Sequence, residues 1–226
     1  MKLKLSLAVA ATLLAGGMYA SATTMIVSNV DTGIGDTLYA NSNGTLMNSG
    51  LVTMGYFAAG VTQSQIDTVP ELLAQLTLGN FTLVTSAIPG ATGPTLGAVR
   101  GYAEQSDPTS IGIITGANAL LGRVVYSIVT DATSFTVGAG VGQINGGSHF
   151  AMVSIGTIVD DNPNESNFTS NPKGLTPIIG TNGTFNGSPG VGADAGAYNT
   201  LIMAIPETSS VLLGALGMLG LLRRRR

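Results

Sequence analysis

The stretch Asp160-Asp161-Asn162-Pro163-Asn164-Glu165-Ser166 gathers the densest group of hard oxygen donors in this 226-residue chain. Asp160, Asp161, Asn162, Asn164 and Glu165 are the side-chain types that ligate calcium. The spacing does not follow an EF-hand loop. Such a loop places glycine where Glu165 stands and a bidentate glutamate where Asn171 stands. A solvated turn is therefore the expected reading of this stretch, with a calcium-stabilised loop as its alternative. His149 is the single histidine and there is no cysteine, so a zinc site lacks its usual ligands. Ser148 precedes His149, but adjacent side chains on a strand point to opposite faces and cannot pair as nucleophile and base. No G-x-S-x-G elbow occurs. His149 is expected at a strand start beside a loop. The run GAGVGQINGG over 138–147 lacks both G-x-G-x-x-G spacing and a following Lys-Ser/Thr, so its glycines are expected to mark bulges or close packing.

The elements that must carry these residues read as mainly β. Apolar runs bounded by turn residues cover 24–30, 37–57, 81–88, 122–131, 134–144, 149–159 and 197–205. Asn43-Gly44 is the sharpest turn signal, because the pair tolerates the positive φ angles of a tight primed turn. One segment breaks the pattern. Over 62–78, Ile66, Val69, Leu72, Leu73 and Leu76 recur at spacings of three and four, which is one helical face. Thr68 is placed to cap this helix, with Pro70 and Glu71 in its first turn. The expected fold is an antiparallel, sandwich-like β domain with one short helix at about 67–77. Residues 160–196 are expected to be long loops, with a short strand near Ile178. Several N-x-S/T triplets, among them those led by Asn43, Asn80, Asn164, Asn167 and Asn182, are attributed to turn chemistry.

Both ends of the chain differ from this body. Residues 1–22 carry Lys2 and Lys4, an apolar run from Leu5 to Ala15, then Ala20 and Ala22 at the minus-three and minus-one positions of an A-x-A cleavage site. That layout is a secretory signal peptide with an N-terminal signal helix, removed after Ala22. An uncleaved anchor is the alternative. At the other end, Val211 to Leu222 has no polar side chain and is followed by Arg223, Arg224, Arg225 and Arg226. Twelve helical residues cover only about 18 Å of a bilayer core about 30 Å thick, so a membrane helix over 209–222 is a weak one. The arginines keep that end cytoplasmic by the positive-inside rule.

The order Pro206-Glu207-Thr208, short apolar helix and terminal arginine cluster resembles the PEP-CTERM sorting signal of exopolysaccharide-producing Gram-negative bacteria. Thr208 stands where that motif has its second proline. The resemblance is confined mainly to residues 205–226, with the sorting signal itself over 206–226. It implies an inner-membrane stage during sorting, processing by an exosortase-like enzyme, and a final place at the cell surface or outside the cell. Ile205-Pro-Glu-Thr-Ser209 also resembles the LPxTG sortase signal, without the glycine that such enzymes cut before. A retained plain anchor is the third reading.

Charge agrees with export. Six of nine basic residues lie in the two removable ends, and residues 23–207 hold three basic against twelve acidic side chains, a net of −9. Such a body repels phosphate backbones, so nucleic acid is not an expected partner. Tryptophan is absent and aromatics make up 5% of the chain, a poor endowment for stacking on sugars. The expectation is an exported envelope or extracellular-matrix protein with signal peptidase, an exosortase-like enzyme and exopolysaccharide as partners, no cofactor and no catalytic role. A calcium- or polysaccharide-binding surface module is the alternative.

Overall fold

The computed structural model describes residues 22–29, 36–90, 99–135, 144–145, 149–161, 166–190 and 193–205. The expected signal helix, Ala20, the 209–222 helix, Pro206, Glu207, Thr208 and Arg223 to Arg226 lie outside them. Among the described residues no helix is long and apolar enough to cross a membrane.

The described fold is mainly β. A four-stranded sheet, order β4-β3-β6-β9, is built from β3 (Leu51–Phe57), β4 (Phe81–Ala87), β6 (Val124–Thr130) and β9 (Phe150–Thr157), all antiparallel neighbours. The sequences VVYSIVT and FAMVSIGT do not alternate between apolar and polar, and the reason is that the sheet is covered on both faces. On one face Val52, Met54, Val125, Val129, Ala151 and Val153 join a large cluster with residues of two smaller sheets. One of these has the order β10-β1-β5, from β10 (Asn167–Thr169), β1 (Thr23–Ile26) and β5 (Thr109–Gly112). The other has the order β11-β12-β2, from β11 (Thr181–Gly187), β12 (Gly196–Ile202) and β2 (Thr37–Ala40). The short pair β7 (Ser134–Phe135) and β8 (Ile144–Asn145) completes the strands among the described residues.

The opposite face presents Phe57, Phe81, Tyr126, Ile128, Phe150 and Met152. Helix α1 (Val69–Thr77) covers it with Val69, Leu72 and Leu76, and Ile66 packs beside them. The helix starts where expected. The Thr68 hydroxyl accepts from the Glu71 N–H at 3.4 Å and donates to the Glu71 carboxylate at 2.9 Å, and Pro70 lies in the first turn.

Three expectations are corrected. The fold is not wholly antiparallel, because β1 with β10 and β12 with β2 pair in parallel. Each partner of those pairs lies far away in the chain, so no hairpin forces the antiparallel sense. Residues 160–196, mainly loop among the described residues, also hold two unexpected strands, β10 and β11. TNGTFNG over Thr181–Gly187 pairs along its whole length with β12, and its polar side chains alternate at an exposed edge, leaving no apolar run to read. The two-residue primed turn at Asn43-Gly44 is not formed. The turn bond runs from Gly44 N–H to the Asn41 carbonyl at 2.9 Å, so Ser42 and Asn43 are central and Gly44, φ 82°, closes the loop. Asn41 and Asn43 side-chain oxygens both accept from the Thr45 N–H at 2.9 Å, which favours this longer loop.

Gly55 marks the closest approach in the large sheet. A β-bulge lies between Met54 and Gly55, and a Cβ at Gly55 would sit 2.0 Å from the Thr82 carbonyl oxygen and 2.7 Å from the Phe81 ring. Gly55→Ala should therefore push β4 off β3 and destabilise the protein by about 1–3 kcal/mol. Urea unfolding measures it, and a midpoint equal to the unsubstituted protein would contradict the packing described.

Candidate functional site

Asp161 is the most heavily engaged side chain of the expected calcium stretch. It lies just beyond β9, is 1% exposed and is not in a solvated turn. Its Oδ1 accepts from the Thr23 hydroxyl at 2.7 Å and the Ser166 N–H at 3.2 Å. Its Oδ2 accepts from the Ile114 N–H at 2.7 Å and the Thr23 N–H at 3.2 Å, and lies 3.0 Å from the same Thr23 hydroxyl. The Asp161 N–H donates in return to the Ile114 carbonyl at 2.7 Å. One carboxylate thus ties the first residue of β1, the segment after β5 and the approach to β10.

Burial opposes ionisation of this carboxyl, but the hydrogen bonds from Ile114, Thr23 and Ser166 together outweigh it and hold the group below its ordinary value of 3.8. Among the described residues every donor to Asp161 is a backbone N–H or the Thr23 hydroxyl, and none is a cationic side chain. Asp160, its exposed neighbour, accepts from the Gly116 N–H at 3.2 Å. Asn162, Asn164 and Glu165 lie outside the described residues. Among those described, no group of three or more His, Cys, Asp or Glu is placed to hold a metal ion.

A second pair was not anticipated. The His149 ring Nδ1 lies 2.5 Å from Asp131 Oδ2, and the His149 N–H donates to Asp131 Oδ1 at 3.0 Å. The side chains are 26% and 30% exposed. Thr130 and Phe150 are register partners, so the pair sits one step beyond the β6–β9 ladder and clips its end. His149 does stand at a strand start. Two apolar runs ending at Asp131 and starting at His149 would have placed the residues opposite each other had they been paired as neighbours. Ser148 lies outside the described residues. Of the glycine-rich run, only Ile144 and Asn145 are described, and they form β8.

Two clefts lie elsewhere among the described residues. One of about 240 Å³ lies between the start of α1 and the chain around Ile179 and Ala204. The other, about 190 Å³, is lined by Phe57, Tyr126 and Arg123. Arg123 donates to the Phe57 carbonyl at 2.8 Å and the Ala119 carbonyl at 3.2 Å, which turns its donors toward backbone. Of the N-x-S/T asparagines, Asn43 lies in a turn, whereas Asn167 and Asn182 stand on strands β10 and β11, so turn chemistry does not account for those two. Asn80 donates to Gln75 Oε1 at 2.7 Å after α1, and Asn164 lies outside the described residues. Comparison with known protein families, curated proteins and solved structures finds no match for this chain.

Two expectations follow from the Asp161 geometry. Its folded carboxyl is more acidic than in the unfolded chain, so its contribution to stability is complete above the ordinary value and is lost as pH falls through the lowered folded value. Asp161→Asn should cost about 2–3 kcal/mol near neutral pH, and should flatten the loss of stability below about pH 4. Urea midpoints across pH measure both, and parallel curves for the two proteins would contradict it. Because donors already occupy the carboxylate, millimolar calcium should leave the melting temperature unchanged. Calcium at 100 times its dissociation constant would add about 2.7 kcal/mol and raise it by several degrees.

Proposed function

We propose that the protein is an exported cell-envelope or extracellular-matrix component of a Gram-negative bacterium, sorted through a PEP-CTERM-like tail and without a catalytic role. The observation that carries this reading is the match between the β body and the two processing signals. The first described strand opens at Thr23, immediately after the Ala20-x-Ala22 motif. The last described pairing joins Phe150 to Ala204, two residues before Pro206-Glu207. Ile205, at that exit, is 57% exposed, as a linker to a removable tail should be. The acidic charge of −9 over 23–207 suits a protein that must stay soluble outside the cell.

In this reading signal peptidase removes 1–22 and the inner membrane holds 209–222 for a time. An exosortase-like enzyme then releases 23–205 to the surface, where exopolysaccharide is its neighbour. The body is a sandwich-like arrangement: the large sheet and the smaller sheets share one core, with α1 closing the far face. A charge cluster behind a helix too short to span comfortably is suited to a temporary hold.

Replacing Arg223 to Arg226 with serine should let the chain pass through the membrane uncut. Replacing Pro206 and Glu207 should leave a longer, membrane-bound form. Fractionation and mass spectrometry of the mature C-terminus measure both. A wild-type protein that still carries Arg226 at its final location would show a permanent anchor and defeat the sorting proposal.

A further inference from the structure

Buried charges in proteins are normally answered by an opposite charge as well as by hydrogen bonds. Asp161, 1% exposed and met among the described residues only by neutral donors, departs from that rule. One of those donors is unlike the others. The Thr23 nitrogen is the atom released if the chain is cut after Ala22, and it already lies 3.2 Å from Asp161 Oδ2.

We propose that cleavage after Ala22 supplies the missing counter-charge, with the new α-ammonium of Thr23 forming a buried ion pair with Asp161 that locks the first strand into the fold. The inference rests on the export-and-cleavage reading given above. Hydrolysis breaks the Ala22–Thr23 peptide bond. Water's hydroxyl goes to the Ala22 carbonyl carbon and its remaining hydrogen to the Thr23 nitrogen. The products then equilibrate to a carboxylate on the departing peptide and an ammonium on the body. The nitrogen need not move to find its partner. The Thr23 side chain is fully buried and its hydroxyl grips the same carboxylate at 2.7 and 3.0 Å, so residue 23 is held in register.

The consequence reaches beyond one residue. β1 is the central strand of its sheet, with β10 in parallel on one side and β5 antiparallel on the other. Ile114 and Ser166, the other donors to Asp161, flank those two neighbours in the chain. A charge gained at Thr23 therefore tightens all three strands, and the precursor lacks it. Position is decisive. One extra residue would carry the ammonium about 3.3 Å along the strand direction and out of contact with the carboxylate.

The composition gives a clean test. A chain beginning at Thr23 has two amines, the Thr23 nitrogen and the exposed Lys173, which serves as internal reference. The full chain is expressed in an exporting Gram-negative host, and the N-terminus of the product is read by mass spectrometry. A start at any residue other than Thr23 overturns the cleavage reading and the ion pair with it. For product that starts at Thr23, amines are acylated at pH 7 in native and urea-unfolded protein. The native Thr23 amine should react at least about tenfold more slowly than the unfolded one, the effect of one unit of proton affinity, and Lys173, read in the same samples, calibrates the reagent. Equal native and unfolded rates at Thr23 would overturn the ion pair and leave the cleavage reading standing. Asp161→Asn should restore the fast rate. A second variant keeps Asp161 and its donors and inserts one glycine between Ala22 and Thr23. Its displaced ammonium should label at the unfolded rate, and protection that persists in that variant would also overturn the proposal.

Discussion

The need to satisfy one buried carboxylate organises the smaller side of this fold. Asp161 cannot be turned to water without breaking the contacts that bring Thr23, Ile114 and Ser166 together. Those residues lie 138, 47 and 5 positions away in sequence. Charge-assisted hydrogen bonds of this kind are about twice as strong as neutral ones, and removing the acceptor leaves several buried donors without partners. The parallel pairing of β1 with β10 has no hairpin to enforce it, so the carboxylate at their shared end does work that a turn does elsewhere.

The large sheet answers a different constraint. Its two central strands, β3 and β6, and its neighbour β9 are apolar on both faces and must be covered twice. The smaller sheets cover one face through Met25, Tyr39, Phe168 and Leu201. Helix α1 covers the other, where Phe57 stacks obliquely on Phe81 at 4.9 Å and meets Tyr126 edge-on at 5.3 Å. Two buried polar side chains between the layers are fully engaged. Asn29 donates to the carbonyls of Thr37 and Gly101 and accepts from the Ala103 N–H, and the Tyr39 hydroxyl donates to the Ser170 carbonyl at 2.9 Å. Burial drives the Tyr39 phenol far above its ordinary value, so it stays a neutral donor.

What could be read in the sequence followed from local chemistry. α1 was legible because Thr68, Pro70 and Glu71 are start signals and the apolar spacing matches one face. β6 and β9 were legible as compact apolar runs. β11 was not, because a polar edge strand borrows its structure from β12 and shows no apolar period of its own. The Asp131–His149 clip needed strand pairing across 18 residues, and the burial of Asp161 needed contacts from three separate segments. An aspartate beside Asn-Pro reads locally as a turn. Only the tertiary fold turns it into an anchor.

We propose that processing at one peptide bond completes that anchor. A crystal structure of the protein isolated from its final location tests it most directly. The expected result is an N-terminus at Thr23, with its α-nitrogen about 2.7–2.9 Å from a carboxylate oxygen of Asp161, the length of a charge-assisted bond. A Thr23 α-amine turned to solvent, with Asp161 still buried on neutral donors or met by a different cation, would contradict it.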